Sequence, residues 1–452
     1  MKTQIDFLKP PATDPWIIAV SLTALSGIFG YFLIYIYHRF NQGHFGDFPT
    51  FYHAARAMLA GRDPYVPVED NLAYVYPPLL AWLFIPLATL SKINAARIVF
   101  PVNLACALIS LFVAALEWSR RFGIRPLTFA GLYAICALTA LMGENELRGQ
   151  LQQMETDALM LLMFTLALRW LDRHPFRSGM ALAVAMNIKY LSLVFLPYLL
   201  LRRRWRAAIG MMVWTIGFAL LPAITIGWKE DFRCLRVALG GLLGWIGIHP
   251  ATSQSHFHPI HSQVSISATS GLARAMRDHH LPGSYALIAA ITLIALGILI
   301  AWWMYRKRGF PMWQWPDAIA QSAAPFRGLV GLEWLGLIAA ALVFSPHTNT
   351  RHMILAIPLE AAAAMMLLIP RPSVNRLPLL LATIGLILGF AMPFRGVFSD
   401  GFTHAYFKYS LVSWCLLGMY FMLLRSGLQY ISSPLIPDTS KGERGFLRNM
   451  NT

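Results

Sequence analysis

Ten apolar runs, each about 16 to 23 residues long, divide this chain, and they decide what it can fold into. A helix needs about 20 apolar residues to cross a bilayer, and inside lipid every backbone polar group must be satisfied within the span. The runs are continuous rather than alternating, so they predict helices. They are Ile17 to Tyr37, Ala95 to Leu116, Leu127 to Met142, Thr156 to Leu171, Ala207 to Ile226, Gly283 to Tyr305, Gly328 to Phe344, Met353 to Ile369, Leu377 to Met392 and Ala405 to Leu424. With 57% hydrophobic and 13% charged residues, a soluble enzyme is excluded and an all-α polytopic membrane protein is expected. The net charge of +16 is an orientation signal in such a chain, and no nucleic-acid partner is expected. Cys106, Cys136 and Cys415 fall inside apolar runs and Cys234 stands alone, which gives no disulfide framework. The polar first sixteen residues lead into an apolar run without a small-residue cleavage site, the pattern of an uncleaved anchor.

Two further runs do not read as simple spans. Tyr76 to Leu90 is short and carries three prolines, so it is expected at the outer interface. Gly179 to Leu201 is long enough to cross, yet Asn187 and Lys189 interrupt it and basic residues flank both ends. Arg120, Arg121 and Arg125, then Arg169, Arg173 and Arg177, then Arg202, Arg203, Arg204 and Arg206 can all be cytoplasmic only if this run is a re-entrant pair of half-helices with Lys189 at its tip. Non-helical backbone at that depth is tolerated where it lines a polar cavity. Residues 1–424 then form one transmembrane domain of about ten spans. Its first outer loop is 38–76, its interfacial segment 76–90 and its large outer loop 227–282, and 425–452 is a cytoplasmic basic tail. Both termini lie inside a plasma membrane, and most acids, with the polar chemistry, face outward.

The first outer loop carries the most specific pattern. Asp47 follows a glycine and precedes a short amphipathic helix with Phe51, Tyr52, Ala54, Ala55, Met58 and Leu59 on its apolar side, ended by Gly61 before Asp63-Pro64-Tyr65. A carboxylate near the bilayer surface among aromatic rings suits a base, or equally an ordinary helix cap. Asp47-Phe48, Phe51-Tyr52, Ala54-Ala55, Gly61, Asp63-Pro64-Tyr65, Tyr76-Pro77-Pro78-Leu79 and Pro86-Leu87-Ala88 together resemble the GT-C superfamily of polyprenyl-phosphate-sugar-dependent glycosyltransferases, and within it the family 87 mannosyltransferases. Gly149-Gln150, Lys189 ahead of Arg202-Arg203-Arg204-Trp205, Gln263 with Ser265, and Ser345-Pro346 with His352 extend the resemblance to about His352.

The resemblance implies a GT-C-type bundle that transfers a hexose, typically mannose, on the outer face from a polyprenyl-phosphate donor to a glycan or glycolipid acceptor, with inversion. Asp47 maps onto the family's essential acid. His352 is its catalytic partner by the same mapping, although relatives carry a histidine pair where this chain has Arg351-His352. Tyr52, Asp63, Tyr65, Tyr76, Gln150 and Gln263 are the expected substrate-binding residues. The chemistry itself requires a base for the acceptor hydroxyl, for which Asp47 and His352 compete, and cations for the departing phosphate, for which Lys189 and Arg351 are the candidates. Arg351 would grip phosphate with two donors, and an intramembrane lysine costs about 2.5–3.5 kcal/mol unless it faces a partner.

No cofactor and no metal are expected. Glu155 and Asp157 sit two residues apart and would not share a helix face. His249, His256, His258, His261, His279 and His280 have no acidic or cysteine partners nearby and read as loop histidines. Glu360 lies about two turns into a span, where it would line the same cavity or make a structural hydrogen bond within the bundle. The competing class is a transporter or flippase for a lipid-linked sugar, which broken helices would also suit.

Overall fold

The computed structural model describes residues 15–43, 45–66, 74–124, 127–245, 260–310, 324–369, 371, 374–390 and 399–432. Within them the chain is helical and without strands. The order is α1 (Pro15–Asn41), α2 (Phe48–Leu59), α3 (Pro78–Leu83), α4 (Ile85–Ala88), α5 (Lys92–Arg121), α6 (Phe129–Met142), α7 (Glu144–Gln153), α8 (Asp157–Trp170), α9 (Pro175–Ile188), α10 (Phe195–Leu201) and α11 (Trp205–Leu220). Downstream come helices at Trp228–Trp245, Ala268–Asp278, Tyr285–Lys307, Ala324–Phe344, Ile357–Leu368, Leu377–Phe390, Asp400–Lys408 and Leu411–Ser432. Six stretches among the described residues are long and apolar enough to cross a membrane: Lys92–Arg121, Trp205–Ile226, Tyr285–Lys307, Pro325–Phe344, Thr350–Leu368 and Leu411–Ser432. This is an all-α, multi-pass membrane protein.

The segment 76–90 forms two short helices, α3 and α4, broken around its prolines and too short to cross. The amphipathic helix of the first loop is α2, which buries Phe51, Tyr52, Ala54, Ala55 and Met58 as its pattern predicts, although Leu59 faces outward. The last span begins later than expected. Ser410 adopts a left-handed backbone (φ 54°), which separates the short helix Asp400–Lys408 from a span that runs to Ser432 rather than ending at Leu424. Three predicted full spans are helices of 14 residues among the described residues: α6, α8 and Leu377–Phe390. At 1.5 Å per residue each rises about 21 Å, less than the hydrocarbon thickness of about 30 Å.

The run 179–201 is a hairpin. α9 ends at Lys189, whose extended backbone (φ −146°, ψ 145°) breaks the helix, and the chain returns through a tight 3-10 turn at Tyr190–Val194 into α10. α9 and α11 then run parallel. Gly179 lies against Ala207–Met211, while Asn187, two turns on, donates from Nδ2 to the Thr215 carbonyl at 3.2 Å. A side chain on Gly210 would meet the Phe176 carbonyl oxygen at 2.7 Å, so the small residues permit this close crossing. Both ends of the hairpin therefore lie on one side, where Arg204 Nη2 meets Asp172 Oδ1 at 3.2 Å.

That side gathers the basic loops. Arg121, fully buried, meets Glu117 at 2.7 Å and Asp172 at 3.2 Å, and donates to the Leu168 and Arg327 carbonyls at 2.7 and 2.9 Å. Arg202 pairs with Glu333, which also accepts from the Tyr198 hydroxyl at 2.8 Å. α8 stretches from this ionic end to the opposite polar cluster, so Asp157 at its start sits about 21 Å above the basic layer.

Candidate active site

Four short segments meet at the upper end of α8, and each is aimed by its local backbone. The first is the Gly46-Asp47 turn. Gly46 has φ 55° and packs so tightly on Gln153 that any side chain would strike the Gln153 amide oxygen at 2.7 Å. The Asp47 amide then donates to the Gln153 carbonyl at 2.9 Å, which fixes the turn to the end of α7. Asp47 occupies the cap position of α2, yet its carboxylate does not cap the helix; it pairs with Arg351.

The second segment corrects an expectation. Met154 takes a left-handed conformation (φ 48°) that ends α7, and α8 starts at Asp157. Glu155 and Asp157 therefore straddle a turn and are not on one continuous helix, so the helical-face argument against their convergence does not apply. Both carboxylates reach Lys189, with Nζ 2.7 Å from Glu155 Oε1 and 2.7 Å from Asp157 Oδ1. The hairpin tip supplies this lysine, the third segment. Its ammonium also lies 5.4 Å from the centre of the Tyr76 ring, a cation–π distance.

The fourth segment is Asn349 to His352. The Asn349 side chain accepts from the Arg351 and His352 amides at 3.2 and 3.3 Å, which starts the 3-10 helix Thr350–Ala356 and points both side chains at the cluster. His352 Nε2 lies 3.0 Å from Lys189 Nζ and 3.8 Å from Asp157 Oδ2, while Nδ1 faces the Asn349 amide at 3.4 Å. A neutral ring carries one acceptor nitrogen, so it takes a hydrogen bond at one of these positions only, from the Lys189 ammonium at Nε2 or from the Asn349 amide at Nδ1. Behind this segment is a serine cluster. Ser265 Oγ accepts from the Thr348 amide at 3.1 Å, Ser270 Oγ donates to the Pro346 carbonyl at 3.0 Å, and Arg274 ties the Ser265 carbonyl to that of Phe407 at 3.0 and 2.9 Å.

The cluster is graded in depth. Glu155, Asp157, Lys189 and His352 are buried, whereas the side chains of Asp47 and Arg351 keep 17% and 23% of their exposure and form the mouth. Arg351 also lies 3.9 Å from Glu155 Oε2, which links the two layers. Asp47, Lys189, Tyr76, Arg351 and His352, all named from the sequence, are brought together. Glu155 and Asp157 were set aside by sequence reasoning, although Thr156-Asp157 is itself a helix-start signal that places Glu155 outside the helix.

The other expected contact residues are engaged elsewhere. Tyr52 donates to the Leu90 carbonyl at 2.7 Å. Asp63 accepts from the Tyr65 amide at 2.9 Å and pairs with Arg233 at 2.8 Å. Tyr65 donates to the Tyr76 carbonyl at 3.0 Å, bracing the residue that lies under Lys189. Gln150 is fully buried, and its amide donates to the Glu155 backbone carbonyl. Gln263 is exposed, two residues before Ser265. Glu155, Asp157 and His352 present ligand atoms within 4.8 Å of one another and are the residues that could hold a metal. Of the loop histidines, His249, His256 and His258 lie outside the described residues.

One more acidic pair adjoins the site. Glu146 on α7 and Glu360, in the span that follows His352, are buried, and neither carboxyl has a hydrogen-bond partner among the described residues. Of the two roles expected of Glu360, the structural hydrogen bond is therefore not seen among the described residues. Burial, chiefly, pushes the Glu146 carboxyl up to about 8.

Residues 74–320, more than half of the chain, match the model of glycosyltransferase family 87. The stretch contains Tyr76, Glu155, Asp157 and Lys189, while Asp47, Arg351 and His352 join them only through the fold. A curated relative from Mycobacterium tuberculosis (strain ATCC 25618 / H37Rv), a polyprenol-phosphate-mannose-dependent alpha-(1-2)-phosphatidylinositol mannoside mannosyltransferase, is 26% identical over 205 residues, covering 41% of this chain. The match takes in 46% of that relative, so the chain spans about half the length of the protein it matches. With an all-α membrane bundle holding a buried ionic cluster under a half-buried ion pair, the chain is a multi-pass membrane protein that belongs to glycosyltransferase family 87.

Proposed function

We propose that this glycosyltransferase moves a hexose, most simply mannose, from a polyprenyl-phosphate donor to a hydroxyl of a glycan or glycolipid acceptor. The transfer takes place on the outer face of the plasma membrane, with both termini on the cytoplasmic side. The observation that carries this is the half-exposed Asp47–Arg351 pair above the buried Lys189 cluster. It sets a carboxylate and a guanidinium side by side at the most exposed level of the cluster among the described residues, where a hydroxyl and a phosphate would meet them. The mannose donor named for the curated relative supports the same substrate class.

The step follows from these positions. When the donor phosphate takes over Arg351, Asp47 is released from its ion pair and becomes the base. It removes the acceptor proton as the acceptor oxygen bonds to the anomeric carbon from the face opposite the phosphate. The bond from that carbon to the phosphate oxygen breaks with its electron pair on oxygen, and the configuration inverts. Arg351 meets the charge that gathers on the polyprenyl phosphate, with two donors in one plane. The neutral ring of His352 lies one residue from Arg351 and beside Asp157, where it takes part in orienting the acceptor and moving its proton. Lys189 stays bound to Glu155 and Asp157 and supplies a fixed positive field beneath the sugar. Tyr76, over Lys189, forms the wall against which the sugar rests.

The test is Asp47→Asn, which keeps the size of the side chain and removes the base. Transfer from a polyprenyl-phosphate hexose is expected to fall ~10³-fold, within the range general bases supply, in protein that still elutes as a single species from detergent. Undiminished transfer would sink the assignment.

A further inference from the structure

The ammonium of Lys189 stands at the centre of a metal-type donor set. Glu155, Asp157 and His352 each offer one ligand atom, all within 4.8 Å of one another, and Nζ lies between them at 2.7, 2.7 and 3.0 Å. Two carboxylate oxygens and an imidazole nitrogen suit borderline divalent ions such as Mn²⁺, Co²⁺ and Zn²⁺. Bonds to such ions run about 2.0–2.2 Å, so an ion in the same place would only need to draw the ligands in by several tenths of an ångström. The three hydrogens of an ammonium match the three acceptors one to one.

We propose that Lys189 is a built-in cation filling a latent divalent-metal site made by Glu155, Asp157 and His352, so that the native protein keeps metal out and loss of the ammonium opens the site. The burial of the ligands gives this its force. Glu155 and Asp157 are 1% and 0% exposed, and two carboxylates held together away from water cannot both remain charged without a cation between them. The lysine answers that need from within the chain. It does so rigidly, because it is held at a hairpin tip whose flanks pack against α8 and α11. The proposal is independent of which sugar is moved, because it concerns cation binding and is read without substrate.

The experiment titrates the full-length protein, purified in detergent micelles without metal, with Co²⁺ and follows visible absorption. The native protein is expected to show no band that Asp157→Asn removes. Lys189→Ala is expected to gain a saturable band at about one Co²⁺ per chain, at least ~100-fold tighter than any binding by the native protein, and to lose it again in the Lys189→Ala, Asp157→Asn double variant. If Lys189→Ala does not stay monodisperse without metal, Co²⁺ during extraction should restore it, and failure to restore it counts against the proposal. Native protein that binds one Co²⁺ through Asp157, or a folded Lys189→Ala protein that binds none, would overturn it.

Discussion

α8 has a buried ionic cluster at each end, and the two are built differently from similar residues. At the lower end Arg120, Arg121 and Arg204 surround Asp172 and Glu117, and Arg121 spends its remaining donors on two backbone carbonyls. Arg121 at its centre is fully buried, and its guanidinium ties two carboxylates to backbone carbonyls of two neighbouring helices. At the upper end one lysine serves two carboxylates and a histidine, and the cluster reaches the surface of the protein through Asp47 and Arg351. The lesson concerns exchangeability. The lower network is cross-linked, with three arginines shared by two carboxylates around the buried Arg121 and Glu117, whereas the upper one ends in a two-member pair whose partners a phosphate and a hydroxyl would take over in the proposed reaction.

This contrast predicts that damage at the two ends will be read by different instruments. The largest effect on catalysis in the upper cluster, after Asp47, is expected from His352→Gln, with kcat reduced ~100-fold or more and the melting temperature little changed. Arg121→Met at the lower end should do the reverse, costing about 1–3 kcal/mol of stability, because the Leu168 and Arg327 carbonyls lose their donor and Glu117 and Asp172 keep only Arg120 and Arg204, while the protein that remains folded keeps its kcat. A kcat loss for Arg121→Met that matches that of His352→Gln would erase the distinction between the two ends.

A smaller effect should appear in pH dependence. The Glu146 carboxyl is pushed up to about 8 by burial, from an ordinary value of 4.5. A raised carboxyl contributes its full stability below the unfolded value and loses it as pH rises through the folded one. The melting temperature is therefore expected to fall between about pH 5 and pH 8 and then level off, and Glu146→Gln should flatten that slope. An unchanged slope would mean that Glu146 is not the titrating group. Tyr65→Phe should have the least effect, about 1 kcal/mol from one lost hydrogen bond to the Tyr76 carbonyl, seen as a modest rise in KM for the donor with kcat nearly intact.

The architecture was legible in the sequence wherever one physical rule acted alone. Run length located the helices, although six rather than ten stretches among the described residues are long and apolar enough to cross, and the basic flanks of 179–201, together with Lys189, pointed to the hairpin. Asp47 and His352 came from the family pattern and Arg351 from the need for a cation at the departing phosphate, and they meet in space. What could not be read was the direction of individual side chains. Tyr52, Asp63, Tyr65 and Gln150 have the right chemistry for sugar contacts, yet they brace Leu90, Arg233, Tyr76 and Glu155 instead. Glu155 and Asp157 were missed because a helical period was assumed across a turn that a single left-handed methionine creates. Such a conformation costs about 1–2 kcal/mol and leaves no mark in hydropathy.

The parallel course of α9 and α11 has a consequence for how the protein is made. A segment that dips into the bilayer and leaves by the side it entered transfers nothing across, so to the insertion machinery the stretch from Asp172 to Arg204 counts as zero crossings. Such a unit can be gained, lengthened or lost in a lineage without inverting any loop that follows it. A lysine could thus be added to the heart of a membrane protein as a self-contained insert, leaving the rest of its topology untouched.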